Sequence, residues 1–184
     1  MNANILLDTL PDKTPNGFII KTDFRQAIKF ELLMQDSTLN DQEKVLLALN
    51  LFYENVKTED IGSLIADILW FYLLGKEPKK EKGEGSGKMI YSFEYDADYI
   101  YDAFYEQYGI DLNISNMHWW KFRSLFEGLN NNKFVDIMGY RAIDLSKIQD
   151  KSERKKYEKL KKIYQLPDMR TAEEKDADFA SAFW

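Results

Sequence analysis

Residues 96–109 of the chain read DADYIYDAFYEQYG, and this stretch decides the fold class. Asp96 is a favourable helix N-cap, and Gly109 is a favourable residue at a helix C-terminus. Between them, apolar side chains recur three and four positions apart, as along one face of an α-helix: Ala97, Ile100, Tyr101, Phe104, Tyr105 and Tyr108. The stretch therefore predicts an amphipathic helix that packs its aromatic side against other helices.

A second face of this predicted helix is acidic. Asp98, Asp102 and Glu106 are spaced i, i+4, i+8, so their carboxylates lie in a row. A carboxylate metal site usually adds Glu-x-x-His motifs, and the single histidine, His118, has none. No serine or carboxylate is arranged beside His118 either, so a structural role is favoured over that of a general base. We interpret the row as a solvated face or a dock for basic side chains, and we expect no metal and no cofactor.

Helical patterns continue on the C-terminal side. The pair Ser115-Asn116 is expected to cap a helix that contains the run MHWWKF and ends near Gly128. A turn at residues 130–132 leads to a short helix near residues 133–138, which the following Gly-Tyr-Arg interrupts. A strongly charged helix over residues 150–164 comes last, before Pro167.

Three more helices are predicted on the N-terminal side. Their caps are expected at Thr22-Asp23, Asn40-Asp41 and Thr58, and Gly75 is expected to end the third. The third helix carries the most apolar run of the chain, but a membrane span needs roughly 20 such residues, so it predicts a buried core helix. The arm before the first helix contains two prolines and an Asn-Gly pair, which indicates an extended arm or a short strand over residues 18–20.

A segment without large apolar residues, residues 76–88 (KEPKKEKGEGSGK), separates these two helical regions. Its run GEGSGK is similar to a phosphate-binding loop, but Lys82 stands where the first glycine belongs and Met89 lacks the hydroxyl that binds Mg²⁺. The predicted fold is all-α, a small helical bundle in two lobes. Its parts are an N-terminal arm and three-helix lobe (1–75), a flexible Lys/Glu/Gly linker (76–90), an aromatic-rich helical lobe (91–166) and an acidic C-terminal tail (167–184).

The composition excludes several kinds of chemistry. The 184 residues include no cysteine and one histidine, which excludes disulfides, Cys-based zinc and iron–sulfur sites, thiol catalysis and His-pair zinc sites. With 25 basic and 31 acidic residues the formal net charge is −6, which argues against a protein whose whole surface binds nucleic acid. The N-terminus has no basic region ahead of its short apolar run, so no secretory signal is expected. We expect a protein that is not an enzyme.

Two groups of residues are candidates for binding a partner. Trp119 and Trp120 point about 100° apart on a helix, so one is expected in the core while the other, beside Arg123, anchors a partner. Core packing is favoured for the pair as a whole. This aromatic group comprises Trp119, Trp120, Phe122 and Arg123.

The second group is basic. Residues 147–162 carry eight basic side chains against three acidic ones. These residues allow three interpretations. The helix contacts an acidic protein or nucleic acid, or it is a solvated helix with i, i+4 ion pairs, or it docks onto the acidic row of the same chain. The candidates in this group are Arg154, Lys155, Lys156, Lys159 and Lys162.

Several runs together resemble a known phage family. They are ILLDTLPD and GFIIKTDFRQAIKFE near the N-terminus, then EYDADYIYDAFYEQYGIDL, MHWWKFRSLFEGL, FVDIMGYRAIDLSKI and DKSERKKYEKLKKIYQLPD. Over residues 4–168 the chain resembles the gene-product-fifteen family of long-tailed phages and prophages of Gram-positive bacteria. The runs WWKF (119–122) and IMGYR (137–141) are the most specific, so Tyr140 and Arg141 join the candidate partner-binding residues. Residues 76–88 depart from the family as a variable insertion.

The resemblance implies a function in tail assembly. Members of the family are small tail-module proteins encoded just ahead of the tape measure protein, and the resemblance implies that they act as tail assembly chaperones. Such chaperones bind the tape measure protein, help bring tail tube subunits to it, and are absent from the mature virion. For this chain it implies a non-enzymatic protein of the host cytoplasm that is capable of self-association. The alternative is a small nucleic-acid-binding regulatory protein that uses the basic helix 147–162.

Overall fold

In the computed structural model, the described residues are 5–54, 60–76 and 89–167. These parts of the chain form seven α-helices and one 3₁₀ turn and contain no β-strand, which confirms the all-α fold. The helices are α1 (Phe24–Gln35), α2 (Asp41–Phe52), α3 (Ile61–Tyr72), α4 (Ala97–Tyr108), α5 (Trp119–Glu127), α6 (Lys133–Ala142) and α7 (Lys151–Ile163), with the turn at Leu145–Lys147.

Most of the predicted linker, its glycine–lysine run and the acidic tail beyond Pro167 lie outside the described residues. The short strand expected over residues 18–20 is not formed. Ile19 makes one isolated antiparallel bridge with Lys13, and the arm is otherwise irregular. A single bridge is expected here because Pro11 and Pro15 donate no backbone hydrogen bond.

The first two helices begin at the predicted caps. The Asp23 carboxylate accepts a hydrogen bond from the backbone N–H of Arg25 at 2.9 Å. Asn40 and Glu43 form a reciprocal capping box, with N···O distances of 2.9 and 3.0 Å. The third helix begins two residues later than predicted, because Asp60 is its N-cap and accepts from Ser63 N at 3.0 Å. The predicted cap, Thr58, lies outside the described residues.

Helix α5 starts differently from the prediction. Its N-cap is His118 rather than Ser115-Asn116, and the imidazole Nδ1 accepts a hydrogen bond from Trp120 N at 3.0 Å. Asp23 and His118 also form an isolated β-bridge, in which Phe24 N donates to Met117 O and Trp119 N donates to Thr22 O. The start of α5 is thus fixed by the start of α1, a contact between residues far apart in the sequence.

Helix α6 continues through the predicted break at residues 139–141. Gly139 lies within α6, which ends at Ala142. A glycine inside a helix costs about 1 kcal/mol relative to alanine, which the burial of neighbouring residues readily offsets. Ile137 and Arg141, on either side of Gly139, are both buried.

One hydrophobic core joins both halves of the chain. Phe122 of α5 stacks on Phe24 of α1 with ring centroids 4.7 Å apart, and Trp119 stacks on Tyr72 of α3 at 5.5 Å. Buried side chains on both sides of the 76–90 segment belong to this core, so the two predicted lobes pack on each other through α5. The division into domains at that segment stays a prediction.

Arg25 forms a second connection between the halves. Its guanidinium donates to the backbone carbonyls of Leu112, Asn113 and Ser115 at 2.6, 3.1 and 3.1 Å. It also pairs with Asp23 at 3.1 Å. The loop between α4 and α5 is therefore held by a side chain of α1.

Candidate interaction surfaces

The aromatic candidates for partner binding lie in the core. Trp119 and Phe122 have no exposed surface, and Trp120 is 4% exposed. Both indole N–H groups donate to the last turn of α3, Trp120 to Phe71 O at 2.8 Å and Trp119 to Tyr72 O at 3.0 Å. Core packing, the favoured expectation for the tryptophan pair, is confirmed, and the alternative of an exposed aromatic anchor is corrected, because α1 covers one side of α5 and the end of α3 covers the other.

Arg123 lies at the edge of this aromatic layer. Its guanidinium sits 5.6 Å from the Trp119 ring centroid, donates to Tyr91 Oη at 3.3 Å and pairs with Glu127 at 2.9 Å. It stays partly exposed. Of the four aromatic-group candidates, only Arg123 keeps surface that a partner can contact.

Arg141 is an internal ion-pair residue rather than a surface contact. Its guanidinium donates to both carboxylate oxygens of Asp96, at 2.6 and 2.8 Å, and to the carbonyls of Ile90 and Tyr164. Asp96 is buried and also accepts from Ser92 N, so it makes no side-chain cap for α4. The buried Asp96 carboxylate therefore pairs with an arginine 45 residues away instead of capping α4. No local sequence pattern signals such a pair.

Tyr140 helps to attach α7 to the rest of the protein. Its ring lies 6.3 Å from that of Tyr157 and 5.8 Å from that of Tyr164, and Lys133 Nζ sits 4.6 Å above the Tyr164 ring. Lys161 Nζ adds a hydrogen bond to Ile143 O at 2.6 Å. The half-buried Tyr140 thus belongs to the contact between α6 and α7.

The other side of α7 carries the basic candidates. No residue of α7 is fully buried, and only Tyr157, Leu160 and Lys161 are half-buried. At about 100° per residue, four lysines fall within roughly 80° of the helix circumference, opposite Tyr157 and Leu160. We call these four the lysine stripe: Lys151, Lys155, Lys159 and Lys162.

The remaining basic candidates, Arg154 and Lys156, flank the stripe and are exposed. The expected i, i+4 pairs Asp150–Arg154 and Glu158–Lys162 do not form. In the described parts of the chain no ion pair includes an α7 side chain. Asp150 instead caps α7 by accepting from Glu153 N at 2.7 Å.

The acidic row of α4 is exposed as well. Asp98, Asp102 and Glu106 face solvent on the side of the helix away from the buried Ile100 and Phe104. Within the described residues, no three His, Asp or Glu side chains come together as a metal ion would require.

His118 is half-buried, and among the described residues both of its ring nitrogens face backbone groups. Its Nε2 lies 3.0 Å from Pro11 O and its Nδ1 accepts from Trp120 N, which identifies the neutral tautomer with the proton on Nε2. Burial lowers the pKa of His118, an effect that the Pro11 hydrogen bond partly opposes. The geometry gives this imidazole a structural role as an N-cap.

The structure contains a further exposed apolar surface that was not predicted from the sequence. Between α1 and α2 an open groove of about 410 Å³ is lined by four leucines, with charged or polar groups around them. Leu47 of α2 lines the groove and is 43% exposed, and the adjacent Leu46 is 59% exposed. The signal was present in α2, whose run VLLALNLF is apolar around most of the helix. We call it the leucine groove, lined by Lys29, Leu32, Leu33, Asp36, Leu47, Asn50 and Leu51.

Comparison with known proteins identifies the family. In the parts of the chain that the structure describes, no helix combines the length and apolar character needed to span a bilayer. Neither the curated proteins nor the solved structures include a match to this chain. The family model described as "Bacteriophage Gp15 protein" matches residues 6–166, which contain all seven helices, the lysine stripe and the leucine groove. The chain therefore belongs to the bacteriophage Gp15 protein family.

Proposed function

We propose that this protein is a non-enzymatic tail assembly chaperone of the phage. It binds the tape measure protein in the host cytoplasm, helps to recruit tail tube subunits, and leaves before the virion is complete. Membership of the Gp15 family supports a role in the phage life cycle. The observation that carries the proposal is the leucine groove, an apolar surface left open on a protein that buries its aromatic residues in a dense core.

The groove suits an amphipathic helix. Its lining is largely apolar, and two further lining residues, Lys29 of α1 and Asp36 directly after this helix, carry opposite charges seven positions apart. That separation is about two helical turns, or roughly 10 Å. A groove that receives the apolar stripe of a helix while charges fix its register is a common mode of peptide recognition. A tape measure protein, as a long helical chain with apolar stripes, presents such segments.

The partial exposure of the groove suits a temporary complex. Full burial of one leucine contributes about 1.5–3 kcal/mol, but Leu32, Leu33 and Leu51 are already half-buried, so each gains less on binding. The complex then shields apolar segments from aggregation and still dissociates when tube subunits replace it.

Co-expression with the tape measure protein of the same phage tests the proposal. The wild-type chain is expected to keep the tape measure soluble and to copurify with it. Leu47→Asp is expected to weaken this association at least tenfold, about 1.4 kcal/mol, because it places a charge in the groove. The matched control is Leu69→Asp on α3, which is equally exposed (44% against 43%) but does not line the groove.

Two outcomes would contradict the proposal. The first is a tape measure that stays insoluble or unbound with the wild-type chain. The second is an equal loss of binding in both variants, which would remove the groove from the interaction. Adding the tail tube protein to the purified complex then tests recruitment, since a ternary complex is expected.

The second candidate function is that of a nucleic-acid-binding regulator. The observation in its favour is the lysine stripe, a row of exposed cations on one face of α7. Such binding weakens steeply with salt, and reversal of Lys155, Lys156 and Lys159 to glutamate is expected to abolish it. Retention of nucleic-acid binding by that triple variant would exclude this role for α7.

A further inference from the structure

Within the residues that the structure describes, the lysine stripe is an exposed helix face without an ion-pair partner. Helix α7 attaches to α6 through Tyr157, Leu160 and Lys161, and the stripe points the opposite way. Successive lysines at i, i+4, i+8 stand about 6 Å apart along the axis. Within the described residues none of them forms an ion pair.

The acidic row of α4 repeats the same geometry with the opposite charge. Asp98, Asp102 and Glu106 are also spaced i, i+4, i+8, so both rows cover about 12 Å with matching intervals. All three acidic side chains are exposed. The equal spacing allows three cations to face three carboxylates along two helices in one register.

The two rows do not meet inside one molecule. Helix α6 packs against both α4 and α7, and the Arg141 guanidinium connects Asp96 at the start of α4 to Tyr164 at the end of α7. These contacts hold α7 with its lysine stripe turned away from the body of the protein. No ion pair joins α4 to α7 in the described residues.

We propose that the lysine stripe of one copy docks on the acidic row of α4 in a second copy. The two surfaces are different, so the contact is head-to-tail, and the pair that it forms keeps one unused stripe and one unused row for further copies. Contacts of this kind generate rings or open filaments rather than closed two-fold dimers.

Aromatic side chains next to the acidic row favour this partner. Tyr105 is 58% exposed and stacks on Tyr101 with ring centroids 6.3 Å apart, directly beside Asp102. A lysine ammonium over an exposed tyrosine ring gains a cation–π contact, and its alkyl stem covers apolar surface. The α4 surface therefore offers lysine more than charge alone.

The contact is expected to be weak and sensitive to salt. Exposed ion pairs contribute little one at a time, and salt screens them strongly. Assembly should therefore appear at high protein concentration in low salt and disappear in about 0.5 M salt. Because no tape measure protein takes part, this inference stands or falls separately from the proposed function.

Charge reversal in the purified full-length chain tests the proposal. One variant carries Asp98→Lys, Asp102→Lys and Glu106→Lys, and the other carries Lys151→Glu, Lys155→Glu and Lys159→Glu. In sedimentation velocity the wild type is expected to form concentration-dependent oligomers, whereas each variant alone is expected to stay monomeric because its two surfaces have like charge. An equimolar mixture of the variants is expected to assemble again, since every contact in an alternating chain then joins opposite charges.

Controls separate this result from misfolding and from other partners. Circular dichroism should show unchanged helicity in both variants, and Lys121→Glu, an exposed lysine of α5 outside the stripe, should assemble like the wild type. The proposal is overturned if the wild type is monomeric in low salt, if either variant alone still assembles, or if the mixture does not. Monomeric protein whose lysine stripe instead binds nucleic acid would also overturn it.

Discussion

Helices α5 and α7 differ in how much of their surface is buried, although both contained candidates for partner binding. Helix α5 buries four of its nine residues, and its two indole N–H groups bond to the end of α3. Helix α7 buries none of its thirteen residues and attaches along a narrow tyrosine and leucine stripe. The comparison teaches that the dense aromatic run stabilises the fold, whereas lysine, acidic and leucine side chains form the exposed candidate surfaces.

Removal of an aromatic side chain from α5 should have the largest effect on stability. Trp119→Ala is expected to lower the free energy of unfolding by about 3–5 kcal/mol, because it leaves a cavity against Tyr72 and Phe122 and orphans the Tyr72 carbonyl. Lys159→Ala in α7 should change it by less than about 0.5 kcal/mol. Urea titration followed by circular dichroism measures both. Similar losses in the two variants would break the contrast between the helices.

Loss of the buried ion pair should have the next largest effect. Arg141→Met leaves the Asp96 carboxylate buried without its cation. We expect this change to lower the free energy of unfolding by about 3 kcal/mol, as measured by denaturant titration. It also removes the bond to Tyr164 O, so amide exchange should speed up in α7 more than in α5. The double variant Asp96→Leu with Arg141→Met should lose less free energy of unfolding than Arg141→Met alone, because no uncompensated carboxylate is then buried. An equal or greater loss in the double variant would contradict the cost assigned to the uncompensated carboxylate.

His118 should produce a smaller, pH-dependent effect. Its pKa in the folded state is lowered by burial, so the unfolded chain binds the proton more readily. The stabilising contribution of the neutral imidazole is complete above the unfolded pKa near 6.5 and is lost as the pH falls below it. A protonated Nδ1 also cannot accept the Trp120 hydrogen bond.

A matched pair of variants isolates this effect. His118→Asn keeps a side-chain acceptor at the N-cap and should remove the pH dependence that begins as the pH falls below about 6.5. His118→Ala should also remove the pH dependence and should be about 1 kcal/mol less stable than the asparagine variant at every pH, because it lacks the cap. Thermal unfolding at several pH values gives the comparison. The interpretation fails if the asparagine variant keeps the wild-type slope.

The sequence predicted the parts of the fold that depend on local pattern. The spacing of α1 and α4, the caps at Asp23 and Asn40, and the left-handed Gly109 after α4 (φ 64°) are confirmed. These features follow from side chains within one or two turns of each other, which periodicity and capping rules describe well. The family match supports the resemblance on which the proposed function rests.

The missed features depend on contacts between distant residues. His118 became the cap of α5 because the Asp23 bridge and the Pro11 carbonyl fix its backbone and ring, which outweighs the better local cap Ser115-Asn116. Likewise, the Asp96 side chain does not cap α4 but pairs with Arg141, which lies 45 positions away. Core packing of the two tryptophans was favoured and is confirmed, but the alternative of one exposed tryptophan stayed open for the same reason: helical spacing shows that the two side chains point apart, but not that α1 and α3 cover both sides.

The indole bonds between α5 and α3 have a consequence for the continuity of the chain. The last carbonyls of α3 receive N–H groups from Trp119 and Trp120, and Arg25 holds the loop before α5. The covalent connection through residues 77–88 is therefore not the main link between the two halves. A protein cut within that segment should behave as a split protein, whose two fragments remain associated as a non-covalent complex and recombine after separation.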